Sequence, residues 1–256
     1  MMRHAIIQAF EELAPLSLAE EWDNSGLLIG LEDKEINRVY IALDATDDVV
    51  TDAIEKEVDL LLTHHPLIFK SLKTITNRDF VGKRLIQLIQ NKVSYYSMHT
   101  NFDVAVMADL AADYLRLRQR EVLEKIDELH GIGKIGLLPS EMGLEELCEY
   151  VKKAFLLDHV KVFGDAGKKM QKVAIMPGSG KSYIKNTIHS QADVMITGDI
   201  DHHDGIDGVA QGLVIIDAGH YGIEHIFVDY MKQFIEDRFA GIKVYTEKRK
   251  NPFQII

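Results

Sequence analysis

Seven short runs rich in leucine or β-branched residues recur along the chain: 38–45 (RVYIALDA), 58–65 (VDLLLTHH), 93–103 (VSYYSMHTNFD), 172–178 (KVAIMPG), 192–199 (ADVMITGD), 213–220 (LVIIDAGH) and 242–248 (IKVYTEK). Their length and side chains suit strands, several too continuously apolar to be half-exposed. Between them, apolar residues return at helical spacing near 2–14, 46–57, 77–91, 104–117, 143–155, 180–190 and 222–238. Strand and helix alternate, which predicts an α/β fold.

The alternation lapses at 119–140, QREVLEKIDELHGIGKIGLLPS, which is charged and then glycine-rich, with no core periodicity after Leu129. This reads as a connection between two α/β units. The expected domains are 1–125 together with 217–256, and 126–216. The return of the C-terminal part follows from His220 and Glu224, which must reach the first unit if they share its site; the alternative is a site at the domain interface.

The strand ends carry the chemistry. The first six runs finish in Asp44, His64 with His65, His99 followed by Asp103, Gly178, Asp199 and His220. Ligands of open α/β sheets sit outside the carboxyl ends of strands, so polar residues gathered there assemble a site. Neighbouring residues on a strand face opposite ways. His64 and His65 can therefore both serve a site only where the strand has stopped, as Pro66 indicates. His99 and Asp103 stand four residues apart, as do His220 and Glu224, about one helical turn, so each pair can face one centre. Taken singly, Asp103 also suits a helix cap and Glu224 a favourable charge in a first helical turn. Histidine and carboxylate together are the donor types of dinuclear sites, whose ions lie about 3.5–4 Å apart.

Composition narrows the functional classes. The 256 residues carry 40 acidic and 29 basic side chains, a formal net charge of -11, which disfavours broad nucleic-acid or anionic-membrane binding. A single cysteine, Cys148, excludes an internal disulfide framework. The N-terminal segment is an amphipathic helix with glutamates rather than a signal peptide, and no apolar run reaches membrane-spanning length. These features predict a cytoplasmic protein without a membrane segment.

EWDNSGLLIG (21–30), LTHHPLIF (62–69), SMHTNFD (97–103), TGD (197–199) and DAGHYGIE (217–224) together resemble the YbgI-like dinuclear-metal family, whose members are widely labelled GTP cyclohydrolase I type 2 homologues. The resemblance spans nearly the whole chain. It implies two interlocked α/β domains, with the dinuclear site at strand carboxyl ends near the domain interface, and assembly as a toroidal homohexamer. It further implies that His64, His65, Asp103, His220 and Glu224 hold two divalent ions per chain, with zinc, iron, manganese and nickel not distinguished by this donor set. His99 matches a position that orients a ligand or contacts substrate.

Three other stretches have plainer readings. MPGSGKS (176–182) lacks the first glycine of a phosphate-binding loop, since Ile175 stands there; a tight strand-to-helix turn is expected, with anion binding secondary. TGDIDHHDGIDG (197–208) is expected to be a flexible loop near the site, from which His203 contacts substrate or carries a proton. Trp22 is expected in the core, Asp23–Gly26 as a turn, and Asn24 as a site-lining residue. The catalytic candidates are thus His99 and His203. The activity expected is metal-dependent hydrolysis of the GTP cyclohydrolase kind, water attacking a nucleotide base. Phosphoester or amide hydrolysis is an alternative at the same site, and a non-catalytic metal-binding scaffold is an alternative of another class.

Overall fold

The computed structural model describes residues 3–30, 34–165, 167 and 169–256. Met2, at the start of the first expected helix, lies outside them. In chain order the elements begin α1 (Arg3–Leu13), β1 (Gly26–Ile29), β2 (Arg38–Ala42), α2 (Asp47–Glu55), β3 (Leu60–Thr63), α3 (Phe80–Gln90), β4 (Ser94–Ser97) and α4 (Thr100–Phe102). They continue with a π-helical turn Asp103–Met107, then α5 (Ala108–Tyr114), β5 (Arg118–Lys125), β6 (Gly131–Met142), α6 (Leu144–Phe155), β7 (Lys161–Phe163), β8 (Met170–Ser179) and α7 (Ile184–His189). The last are β9 (Val194–Gly198), α8 (His202–Ala210), β10 (Val214–Asp217), α9 (His220–Glu224), α10 (Ile226–Arg238) and β11 (Lys243–Thr246).

The chain divides into two compact units, Met1–Ala105 with Phe227–Arg249, and Val106–Ile226 with Lys250–Ile256. The passages between them fall after 105, 226 and 249, where the sequence suggests 125 and 217. The outward passage lies inside a helical turn, where no glycine, proline or polar linker marks it in the sequence.

The first unit is a five-stranded sheet in the order β1-β4-β3-β2-β11. β11, β2, β3 and β4 run parallel, and β1 closes the edge antiparallel to β4. Every residue of β3 and β4 is buried, which explains the uninterrupted LLLT and SYYS. Thr46 caps α2 by accepting from Val49 N–H at 3.2 Å, and Asp79 caps α3 by accepting from Gly82 N–H at 2.9 Å. Val50 and Ala53 of α2, with Leu85 and Leu88 of α3, pack with Tyr40, Leu61 and Tyr95 of the sheet. The ends of β2, β3 and β4 are thereby fixed side by side.

The second unit is a six-stranded mixed sheet, β5-β6-β8-β9-β10-β7, in which β8, β9 and β10 are parallel. Met176, Met195, Leu213 and Ile215 form a core with Ile184 and Ile200. Two expectations are corrected here. The stretch 119–140 is not a connection but the antiparallel pair β5 and β6. β5 lies at the sheet edge and only half buries its inner side chains, so it has no apolar face for a pattern to reveal. The stretch 197–208 is not a flexible loop, since most of it is the end of β9 and α8. The buried face of α8 carries Gly205 and Gly208, while Ile206 and Val209 are exposed, so the helix has no apolar stripe.

Candidate metal centre

In the first unit, β3 ends at Thr63, and the next two residues leave the strand as Pro66 indicated. The His64 N–H bonds Ala42 O at 3.3 Å and the His65 N–H bonds Leu43 O at 2.9 Å, so both histidines are hung from the neighbouring strand end. Their rings lie 4.9 Å apart, and His99, just after β4, lies 5.4 Å from His64 and 5.5 Å from His65. Each of the three offers a nitrogen within 4.8 Å of the others, a group able to hold a metal ion. Asp103 Oδ1 is 3.4 Å from His64 Nε2. Asp103 does not cap the following helix: it opens the π-helical turn, its own N–H bonding His99 O at 3.0 Å. Such turns recur at functional sites.

In the second unit, His220 and Glu224 occupy the two ends of α9 and face each other, Nε2 to Oε2 at 2.9 Å. The four-residue spacing does here what it predicts. Glu224 is 2% exposed. Gly178 explains how a carboxylate fits so deep: a Cβ on it would stand 2.5 Å from Glu224 Oε1, and its φ of 72° suits glycine. MPGSGKS is the end of β8, which still contains Gly178, and the turn toward α7 comes only at Gly180. The helix that follows, α7, has only six residues, and the anion reading finds no support.

The imidazoles share one hydrogen-bonding scheme. His64 Nδ1 lies 2.7 Å from Met98 O, a carbonyl that can only accept, so Nδ1 carries the proton. His65 Nδ1 meets Asp44 Oδ1, His99 Nδ1 meets Asp23 Oδ1, and His220 Nδ1 meets Asp199 Oδ2, each at 2.8 Å. In a neutral ring this leaves the lone pair on Nε2, the tautomer that ligates. The donor chemistry, the oriented rings and the room at Gly178 all fit divalent metal.

The expected turn at Asp23–Gly26 is corrected: the turn falls at Glu21–Trp22, Gly26 already opens β1, and Asp23 stands between them as a hydrogen-bonded residue. Its side chain is fully buried and also accepts from Thr100 N–H at 3.1 Å, Thr100 Oγ1 at 2.6 Å and Ser25 Oγ at 2.8 Å. Burial by itself would raise its pKa, but the bond from His99, those from Thr100 and Ser25, and the nearby His99 charge together hold the carboxyl well below the usual range. Trp22 is not in the core: it is 61% exposed, its ring edge-on to His99 at 5.9 Å. Phe69, 52% exposed, meets His99 in the same way at 5.6 Å. Asn24 donates to Ile68 O at 2.8 Å, tying the two aromatic segments together. His203 is exposed on α8 beside His202, 5.2 Å ring to ring. Asp44 and Asp199 are legible as strand-end residues, but their bonds to histidine, which span 21 residues in each case, are not. Asp23 is not legible as the partner of His99, because a buried, fully bonded aspartate and a turn aspartate look alike in sequence.

A family model described as Duf34/NIF3 (NGG1p interacting factor 3) matches residues 1–252. The chain belongs to the Duf34/NIF3 family. A relative from Clostridium perfringens named "GTP cyclohydrolase 1 type 2 homolog" is 32% identical over 262 residues, covering 100% of both chains. One from Streptococcus pneumoniae with the same name is 35% identical over 267 residues, again covering 100% of both. Among solved structures, the Staphylococcus aureus hypothetical protein SA1388 superposes with a TM-score of 0.89 at 29% identity, covering 100% of this chain and 99% of that one. The family resemblance and the α/β class predicted from the sequence both stand. Among the described residues no helix is long and apolar enough to cross a membrane.

Proposed function

We propose that the Duf34/NIF3 chain described here is a dinuclear metal-dependent hydrolase, in which His64, His65 and Asp103 of the first unit and His220 and Glu224 of the second hold two divalent ions. The observation that carries the reading is the repeated pairing of a histidine Nε2 with a carboxylate oxygen, at 3.4 Å in one unit and 2.9 Å in the other, with each Nδ1 already committed to an oxygen. Divalent metal, when bound, supplies Lewis acidity that brings the pKa of water near neutrality.

The chain's own groups complete the chemistry. Asp103 and Glu224 supply the negative charge that balances the cations. Asp23 keeps the proton of His99 on Nδ1, so Nε2 is the basic nitrogen: it can accept a proton from water and return it to a leaving nitrogen. Trp22 and Phe69 beside His99 give that end an aromatic wall. The names of the relatives suggest GTP as substrate; there one water would add to the carbon between the two nitrogens of the five-membered ring and open it by breaking one C–N bond, and a second would break the other and release that carbon as formate. Assembly as a homohexamer in the cytoplasm belongs to the same reading.

The test is metal analysis of the purified protein, followed by turnover of the remetallated apo form against GTP, other nucleotides and phosphoesters. Formate release from GTP is expected. Turnover of a phosphoester instead would move the substrate assignment, and turnover of nothing in the panel would replace the hydrolase with a metal-binding scaffold. Light scattering should give about six times the chain mass of 29.0 kDa; a monomer at micromolar concentration refutes the hexamer.

A further inference from the structure

Asp199 has a left-handed backbone that no helix end accounts for. Seven non-glycine residues among those described have positive φ. Five of them, Glu57, Lys92, Arg116, Leu156 and Gln191, lie one or two residues past the end of a helix, where a left-handed residue closes the last turn. Gln119 sits at the irregularity in the β5–β6 pairing. Asp199, with φ 55°, follows β9 and precedes α8, so the helix-end explanation fails; the β8–β9 pairing is irregular beside it, but the extra residues, Pro177 and Gly178, belong to β8, so that is not its explanation either.

Its surroundings supply one. β9 and β10 are parallel neighbours, so Asp199 after β9 and His220 after β10 emerge from adjacent strand ends. The two backbones are pressed together: a Cβ on Gly198 would stand 2.7 Å from both N and Cα of His220. The left-handed turn immediately after Gly198 sends the Asp199 carboxylate to His220 Nδ1, 2.8 Å from Oδ2. The Asp199 side chain is 60% exposed, so burial does not demand that bond.

We infer that Asp199 is a positioning residue: it accepts a left-handed backbone so that its carboxylate holds the His220 ring with Nδ1–H outward to Asp199 and Nε2 toward Glu224. The inference rests on the metal reading above only for its consequence, tighter metal binding. Glycine is the relaxed residue at this φ and carries no acceptor, whereas asparagine tolerates the conformation and keeps a neutral acceptor. Asp199→Gly and Asp199→Asn therefore separate backbone comfort from the bond.

Zinc affinity, measured by competition with a chromophoric chelator, should fall about 10- to 100-fold in Asp199→Gly, the range for loss of a carboxylate behind a ligating imidazole, and less in Asp199→Asn. The melting temperature of the metal-free protein should be unchanged or raised in Asp199→Gly, which a merely structural role would not allow. In metal-free protein, the slowly exchanging His220 Nδ1–H signal in NMR should persist in wild type and Asp199→Asn and vanish in Asp199→Gly. Wild-type zinc affinity in Asp199→Gly, or an Nδ1–H signal unchanged by it, overturns the inference. Absence of zinc uptake by the wild type refutes the metal reading instead, and the Nδ1–H signal then decides whether Asp199 positions His220.

Discussion

A buried carboxylate is costly unless its surroundings are arranged for it, and Glu224 shows how local that arrangement is. Gly178 leaves the space and His220 the facing nitrogen. Gly178→Ala would put a methyl 2.5 Å from Oε1 and a side chain at φ 72°. The backbone strain alone should cost about 1–2 kcal/mol, read by denaturant unfolding, and zinc binding should weaken with it. An alanine variant with wild-type stability and zinc affinity would show that Glu224 relaxes freely and needs no such seat. His225 follows directly but plays another part. By helical rotation it points about 100° away from Glu224, and it is no surface bystander: it is 7% exposed and packs on Tyr221, ring centroids 5.4 Å apart. Glu224→Gln, which keeps the shape and removes the charge, should lose occupancy of at least one metal position with little change in metal-free stability. His225→Gln should do the reverse, losing stability while retaining metal. Equal metal loss in both would mean that Glu224 is only a favourable charge at a helix start.

At the scale of elements, legibility followed burial. β3 and β4 are buried throughout and read plainly as LLLT and SYYS, and α2, α3 and α6 read from their apolar stripes. β5 did not, because an edge strand spends its side chains on solvent, nor did α8, whose packed face is glycine. The candidate cluster was legible for a related reason: His64 and His65 stand immediately beyond β3 and His220 three residues beyond β10, strands the sequence reveals. Their partners Asp23, Asp44 and Asp199 were not legible as such, since only folding brings them to the rings. Packing of α2 on β2 has an electrostatic part that pH can address. Asp52 of α2 lies 2.6 Å from the Tyr40 hydroxyl and pairs with Lys56. Burial would raise the Asp52 carboxyl, but the bonds from Lys56 and Tyr40 outweigh it and lower the pKa. A carboxyl lowered on folding stabilises fully above its unfolded pKa of about 3.9 and loses that contribution as pH falls through the folded value. Asp52→Asn should therefore cost about 1 kcal/mol at pH 7, given the partial exposure of the pair, and the difference from wild type should shrink steadily from pH 5 toward pH 3. A cost that stays constant across that range would assign the stabilisation to shape rather than charge.

For the whole molecule, the decisive fact is that the donors are divided: His64, His65, His99 and Asp103 belong to the first unit and His220 and Glu224 to the second. A centre drawing on both sets would make metal binding a link between two units that each have their own sheet and core. Ligand that binds only the folded state stabilises it by about 4 kcal/mol at a thousand times its dissociation constant. For a chain of this size each kcal/mol moves the melting temperature by about 2–4 °C, so removing metal should lower it by roughly 10 °C. If one centre joins the units, metal-loaded protein should melt in a single calorimetric transition, and chelation should both lower it and broaden or split it as the units uncouple. Separate metal sites would instead leave one transition where it was while the other moved. Titration with zinc should restore the single transition at two ions per chain; restoration at one ion, or a melting profile indifferent to metal, would contradict the dinuclear centre and leave the paired histidines and carboxylates as two unrelated polar clusters.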